Sequence, residues 1–92
     1  MTKSLADLLD GVIKRFGLEH AMLRERMPKY WADVVGPRIA QISQVRGFEG
    51  GVLRIHVTEP TWRSELTLRR EEIRLQLNAR IGTDAIKELQ LK

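Results

Sequence analysis

The sequence predicts an α+β domain with helices on one face of a small sheet, and three observations carry that expectation. Near the N-terminus, Leu5, Leu8, Leu9, Val12 and Phe16 recur at i, i+3, i+4, i+7 and i+11, the apolar stripe of a helix. The run from Val52 to Thr58 instead alternates. Leu53, Ile55 and Val57 stand against Arg54, His56 and Thr58, as in a strand with one buried and one wet face. A long helical pattern opened by Pro60 and closed by Gly82 then separates that strand from a last apolar alternation at Leu89 and Leu91.

Taken in chain order, Ser4 with Asp7 makes an acidic capping box that opens the first helix, and Gly17 closes it. A second helical pattern runs from Leu18 through Ala21, Met22 and Leu23 to Met27. Pro28 disfavours helix at Met27 and lacks a backbone donor, so a break is expected there. A third helix then starts on Pro28, carries Tyr30, Trp31, Val34 and Val35 on one side, and ends near Gly36-Pro37; one further turn fits Arg38 to Ile42. Ser43 to Phe48 is a short strand candidate. Glu49-Gly50-Gly51 joins it to Val52–Thr58, the glycines supplying the positive φ of a tight hairpin. The helix from Pro60 is expected to run to about Arg80, and Asp84 to Leu91 to form the last strand. The expected order is helix, helix, helix, strand, strand, long helix, strand, in a single domain covering residues 1–92.

Composition narrows the function classes. With 42% apolar and 30% charged residues the chain has globular composition. It contains no cysteine, so neither a disulfide framework nor a thiolate metal site is available. No apolar run approaches the ~18 residues that cross a bilayer, and Asp7 and Asp10 are foreign to a secretory signal, so a cytoplasmic protein is expected. The 16 Lys and Arg against 12 Asp and Glu leave a net charge of +4, an excess that favours polyanionic partners through counterion release. The same excess also serves solubility alone in many small domains.

The long helix is the most informative element. At about 100° per residue, Trp62, Leu66, Ile73 and Leu77 share the core face. Arg63, Arg70 and Arg74 line one edge of that face, and Glu65 and Glu72 the other, with Glu65 placed to pair with Arg69. The arginine edge is either a rail of fork-shaped phosphate donors or a solvated edge whose stems cover the core. Leu68 and Leu75 lie nearly opposite the core stripe. They are either a partner-binding patch or, as the pattern favours, the seat of the N-terminal helices' own stripe. Arg54 and His56 on the wet strand face join the candidate nucleic-acid contacts, with solvation as the plain alternative.

Several chemistries are not expected. His20 and His56 have no carboxylate or cysteine cluster at ligand spacing, so no metal site is anticipated. No nucleophile–base arrangement and no phosphate-binding Gly-rich loop ending in Lys-Ser/Thr is present; no catalytic residue and no cofactor is expected. The segment Arg46 to Gly51, RGFEGG, does contain a G-x-x-G, the loop with which one large class of domains clamps a nucleotide backbone. The clamping version joins two helices and carries basic or small residues. Here the motif joins two strands and carries Glu49, which repels phosphate. It is read as a turn.

The motifs in order resemble one family. Trp31-x-x-Val34-Val35-Gly36, Ile39-Ala40-x-x-Ser43, Gly51-x-Leu53-x-Ile55-x-Val57, Trp62-x-x-Glu65-Leu66 and Leu77-Asn78-x-x-Ile81-Gly82 look like the DciA family, from about Leu5 to Leu91. The resemblance implies a KH-like domain without a working G-x-x-G loop. It implies a non-enzymatic adaptor that binds the hexameric replicative helicase DnaB and DNA, single-stranded or forked, and assists helicase loading without ATPase activity. Two features depart from the family pattern. Many members continue into a flexible basic extension where this sequence ends at Lys92, and Gln44-Val45 stands where a proline-containing turn often follows the serine. The alternatives to the adaptor reading are a general single-stranded RNA- or DNA-binding module and a scaffold subunit that binds only protein. No small-molecule substrate and no membrane contact is expected.

Overall fold

The computed structural model describes the backbone of residues 4–15 and 17–92, and places α1 at Leu5–Arg15, α2 at Leu18–Val35 and α3 at Pro37–Gln41. β1 (Ser43–Glu49) and β2 (Val52–Val57) follow, then α4 (Pro60–Leu68), α5 (Arg70–Ile81) and β3 (Glu88–Leu91). The class and the order of elements are those the sequence predicts. Val12 and Phe16 of the first stripe lie outside the described side chains.

Local signals account for most boundaries. The Asp7 N–H donates to Ser4 Oγ at 3.2 Å, and the Ser4 N–H donates to the Asp7 carboxylate at 3.4 Å, a reciprocal capping box. Gly17 and Gly82 adopt φ of 70° and 90°, left-handed conformations that end α1 and α5. Pro60 occupies the first turn of α4.

Three boundaries differ from expectation. β3 begins at Glu88 and not at Asp84, because Ile86 turns its N–H and carbonyl to Asn78. No break forms at Met27-Pro28, and α2 runs straight through the proline. Pro28 itself is exposed, while its neighbours on the inward side, Met27 and Trp31, are fully buried. An interior proline costs about 3 kcal/mol. Burying a methionine contributes roughly 1.5–3 kcal/mol, and the larger area of a tryptophan roughly 4–6 kcal/mol. Tertiary burial therefore outweighs the lost hydrogen bond. The helix expected from Pro60 to Arg80 is in turn interrupted at Arg69, whose N–H is shared between the carbonyls of Glu65 at 3.3 Å and Leu66 at 3.1 Å. Neither glycine nor proline marks that bend. It lets α4 lie on β2 and β3 while α5 packs on α2 and β3.

The sheet has the order β1-β2-β3. β1 and β2 are antiparallel and joined by Gly50 and Gly51, with φ of 57° and 80°, the two positive values a two-residue hairpin turn requires. β2 and β3 are parallel, and α4 with α5 supplies the crossover such a pair needs. On the helix-covered face the register aligns Ser43 with Val57, Val45 with Ile55, and Phe48 with Leu53, while Leu89 and Leu91 flank Leu53 and Ile55. Gln44 and Val45 are ladder residues of β1, paired with His56 and Ile55. Leu53, Val57, Leu77, Ile86 and Leu89 are all within 1% of full burial, and Trp62 packs half-buried against them.

Two polar latches fix this core. Trp31 Nε1 donates to Ser43 Oγ at 2.8 Å, and that hydroxyl donates onward to the Ile39 carbonyl at 2.6 Å, tying α2, α3 and β1 together. Asn78 Nδ2 donates to the Ile86 carbonyl and Asn78 Oδ1 accepts from the Ile86 N–H, both at 2.9 Å, which pins the segment leading into β3. Each satisfies buried polar groups that would otherwise cost about 1–3 kcal/mol. Trp31, Ser43 and Asn78 all belong to the motifs read above. These three motif residues hold the fold together.

Candidate functional site

The face of the sheet away from the helices follows from strand register. Side chains alternate across a strand, so the core pairs leave Glu49, Val52 and Glu88 in one outward row and Gly47, Arg54 and Gln90 in the next. Gln44 and His56 form a third row. The ladder continues one residue past β3, with the Lys92 N–H donating to Ile55 at 3.0 Å and the Val57 N–H donating to Lys92 at 2.7 Å, which brings Lys92 beside His56. Arg46 is the extra residue of a bulge between Val45 and Gly47.

Charge on this face is polarised. The row nearest the hairpin turn is acidic, and Glu49 there is paired with Arg24 at 3.1 Å. The far end holds Arg46, Arg54 and Lys92 around His56, lining with Gln90 a shallow cleft of about 160 Å³. None of the three cations makes an ion pair among the described residues. The Arg54 guanidinium lies directly over Gly47, in the space a Cβ would fill. A glycine at this bulge is thus what lets Arg54 lie flat on the sheet.

Of the residues expected to contact nucleic acid, Arg54 and His56 fall in this patch. Arg46 and Lys92 were not singled out. The bulge at Arg46 breaks the alternation that would have placed it, and Lys92 depends on a parallel register the sequence does not display.

The arginine edge of the long helix is differently disposed. Arg63 is half-buried and donates to the Val57 carbonyl at 2.9 Å, with its Nε buried and unpartnered. Arg74 donates through Nη1 to the Ile86 carbonyl at 2.9 Å and through Nε to Glu71 at 3.0 Å. The hydrogen bond from Arg74 holds the Glu71 carboxyl below its usual range, and the same bond raises the already basic arginine. Of the two readings of this edge, stems that cover the core describe Arg63 and Arg74 better than a rail of three open forks. Both turn inward, Arg63 to the carbonyl at the end of β2 and Arg74 to the Ile86 carbonyl ahead of β3, because their stems cover the core and carry the guanidinium to acceptors there. Arg70 alone of the three is exposed without a side-chain hydrogen bond or ion pair among the described residues. It sits at the α4–α5 bend beside Arg69, which pairs with Glu65 at 3.0 Å.

Leu68 and Leu75 are 84% and 53% exposed. The N-terminal helices do not cover them, contrary to the favoured expectation, because among the described residues α1 touches only α2, and α2 packs on the face of α5 opposite Leu75. Leu68, Arg69 and Arg70 thus present an apolar and cationic knuckle where two helices meet.

Among the described residues no three His, Cys, Asp or Glu side chains gather to hold a metal ion, and no helix is long and apolar enough to cross a membrane. The described surface carries cations at one end of the open sheet face and exposed leucines on the helices. No curated protein matches the chain. The family described as "Dna[CI] antecedent, DciA" matches residues 4–91, nearly the whole length, and the chain belongs to the DciA family.

Proposed function

We propose that this protein is a non-enzymatic replication adaptor that binds the DnaB-type helicase and DNA in the cytoplasm and assists placement of the helicase ring. The observation that carries the reading is the family match over residues 4–91, since the DciA family is linked to DnaB helicase loading. Two surfaces support a division of labour. The cationic end of the open sheet face, with Arg54 and His56 joined by Arg46 and Lys92, is suited to a phosphate backbone. Arg70 is a further contact at the α4–α5 bend, whereas Arg63 and Arg74 act by holding the helices to the strand ends. Leu68 and Leu75 form the helicase-facing patch, an uncovered apolar pair of the kind that marks protein contacts.

An adaptor of this type works by binding energy alone. A ligand shifts an equilibrium only by its differential affinity for the two states, so it must hold the DNA-accepting form of the ring more tightly than the closed one. Mixing the protein with its cognate hexameric helicase tests the proposal. Co-elution and faster helicase loading on forked DNA are expected. Absence of both refutes it.

The second reading is a general single-strand-binding module, favoured by the same cationic face. It predicts steep salt dependence without any need for a helicase. The patch contains no Phe, Tyr or Trp, and the His56 imidazole is the one ring in its lining, which favours backbone tracking over base recognition.

A further inference from the structure

The cations at the far end of the open sheet face stand in a line that crosses the strands. Each strand supplies one: Arg46 from β1, Arg54 from β2, and Lys92 from the extension of β3 along the ladder. β1 and β3 are the edge strands, so one cation stands at each edge and one between them. The Arg54 guanidinium lies over Gly47 of β1, which spreads its charge along the same line and not along β2. His56 and Gln90 add polar groups between the cations, each able to donate to an anion.

Spacing and charge set the direction of a bound strand. Neighbouring β-strands lie about 4.8 Å apart, so the backbones at Arg46 and Lys92 are roughly 10 Å from each other across the sheet. A stacked nucleic-acid strand advances about 3.4 Å per phosphate, which places about three successive phosphates along that line. The path along the β-strands instead meets acid at both ends. Two residues from Arg54 towards the hairpin, about 7 Å, it passes at Val52 between Glu49 and Glu88. Glu49 is paired with Arg24, but Glu88 has no ion pair among the described residues. In the other direction β2 ends at Val57, and Glu59 follows. A duplex has a major groove alone of about 12 Å, so one seated on the cationic line also overlies the acidic row. The cleft of about 160 Å³ is well below the roughly 300 Å³ at which small-molecule pockets begin, so it admits phosphate oxygens and not a base.

On the reading of this face as the adaptor's DNA contact, we propose that a single DNA strand crosses the sheet at right angles to the β-strands. It runs over Arg46, Arg54 and Lys92, with its phosphates on the sheet and its bases turned to solvent.

Backbone amide spectra of the isotopically labelled wild-type protein test the path. The probe is a short oligothymidylate that carries one phosphate per cation and a nitroxide at one end or the other. At low salt, the amide signals of the outer strands, around Arg46 and from Gln90 to Lys92, are expected to broaden most. Gly50 and Gly51 at the hairpin turn should lose less intensity with either tag. Broadening that is strongest at Gly50 or Gly51, or confined to the helices, overturns the crossing path even though DNA binds. Spectra that no oligonucleotide alters overturn the DNA-contact reading of the face and the path with it. A hairpin duplex that binds as tightly as an unpaired strand at the same salt overturns the choice of a single strand.

Discussion

Replacing Arg46, Arg54 and Lys92 together by alanine separates the sheet face from the helix edge as the nucleic-acid contact. The three cations sit at one end of the open face and make no ion pair among the described residues, so their removal strands no internal partner. Exposed substitutions of this kind change stability by within about 0.5 kcal/mol. Binding responds differently. Each phosphate neutralised on a single strand contributes roughly 0.7 to the slope of log affinity against log salt, so losing three contacts makes the slope about 2 units shallower. Between roughly 50 and 200 mM salt, the wild-type protein should then lose about 16-fold more affinity than the variant. Fluorescence anisotropy of a labelled oligonucleotide across that range measures both slopes. An Arg63→Ala/Arg74→Ala variant is the contrast, since each guanidinium donates to a backbone carbonyl, that of Val57 or Ile86. It should lower the melting temperature and leave the slope nearly unchanged. An unaltered slope in the sheet variant, or a shallow one in the helix variant, refutes the assignment.

Other consequences are equally open to measurement. Gly47→Ala puts a Cβ where the Arg54 guanidinium lies, and that flexible side chain must swing away; DNA affinity should fall with little change in denaturant midpoint. Asn78→Ala removes both bonds to Ile86 and leaves its buried N–H unpartnered, which should cost about 2–4 kcal/mol in urea unfolding. The Glu71 carboxyl titrates below its usual range because of Arg74, so its contribution is present above the unfolded carboxylate pKa of about 4.3 and fades as pH falls through the lower folded value. Melting curves of wild type and Glu71→Gln should accordingly differ near neutrality and converge in acid. A difference that grows in acid contradicts the sign.

How much of this was legible depended on whether local chemistry or packing decided each element. Alternation from Leu53 to Val57 gave β2 its inner face, and Gly50-Gly51 gave the hairpin, because both act within a few residues. Pro28 misled. Its local preference is real, but Met27 and Trp31 bury enough surface to carry the helix past it. The bend at Arg69 has no residue of its own to announce it and arises from two packing surfaces meeting. The arginine edge illustrates the same limit at the level of function. Helical periodicity set Arg63, Arg70 and Arg74 on one edge of a single helix, which the bend at Arg69 divides. Whether each fork faces water or a backbone carbonyl depends on where β2 ends and where Ile86 lies, which no helical wheel contains. The cationic patch was half visible, through Arg54 and His56, and was completed by the bulge and the parallel pairing of β3.

The most direct test of the adaptor account is a loading assay on forked DNA with the cognate hexameric helicase, comparing wild type with Leu68→Asp/Leu75→Asp. The account predicts that wild type co-migrates with the helicase and accelerates its loading. The variant should lose both effects and keep an unaltered salt-dependent affinity for DNA. Co-migration and loading that persist undiminished in the variant, or a wild type that never associates with the helicase, would contradict it.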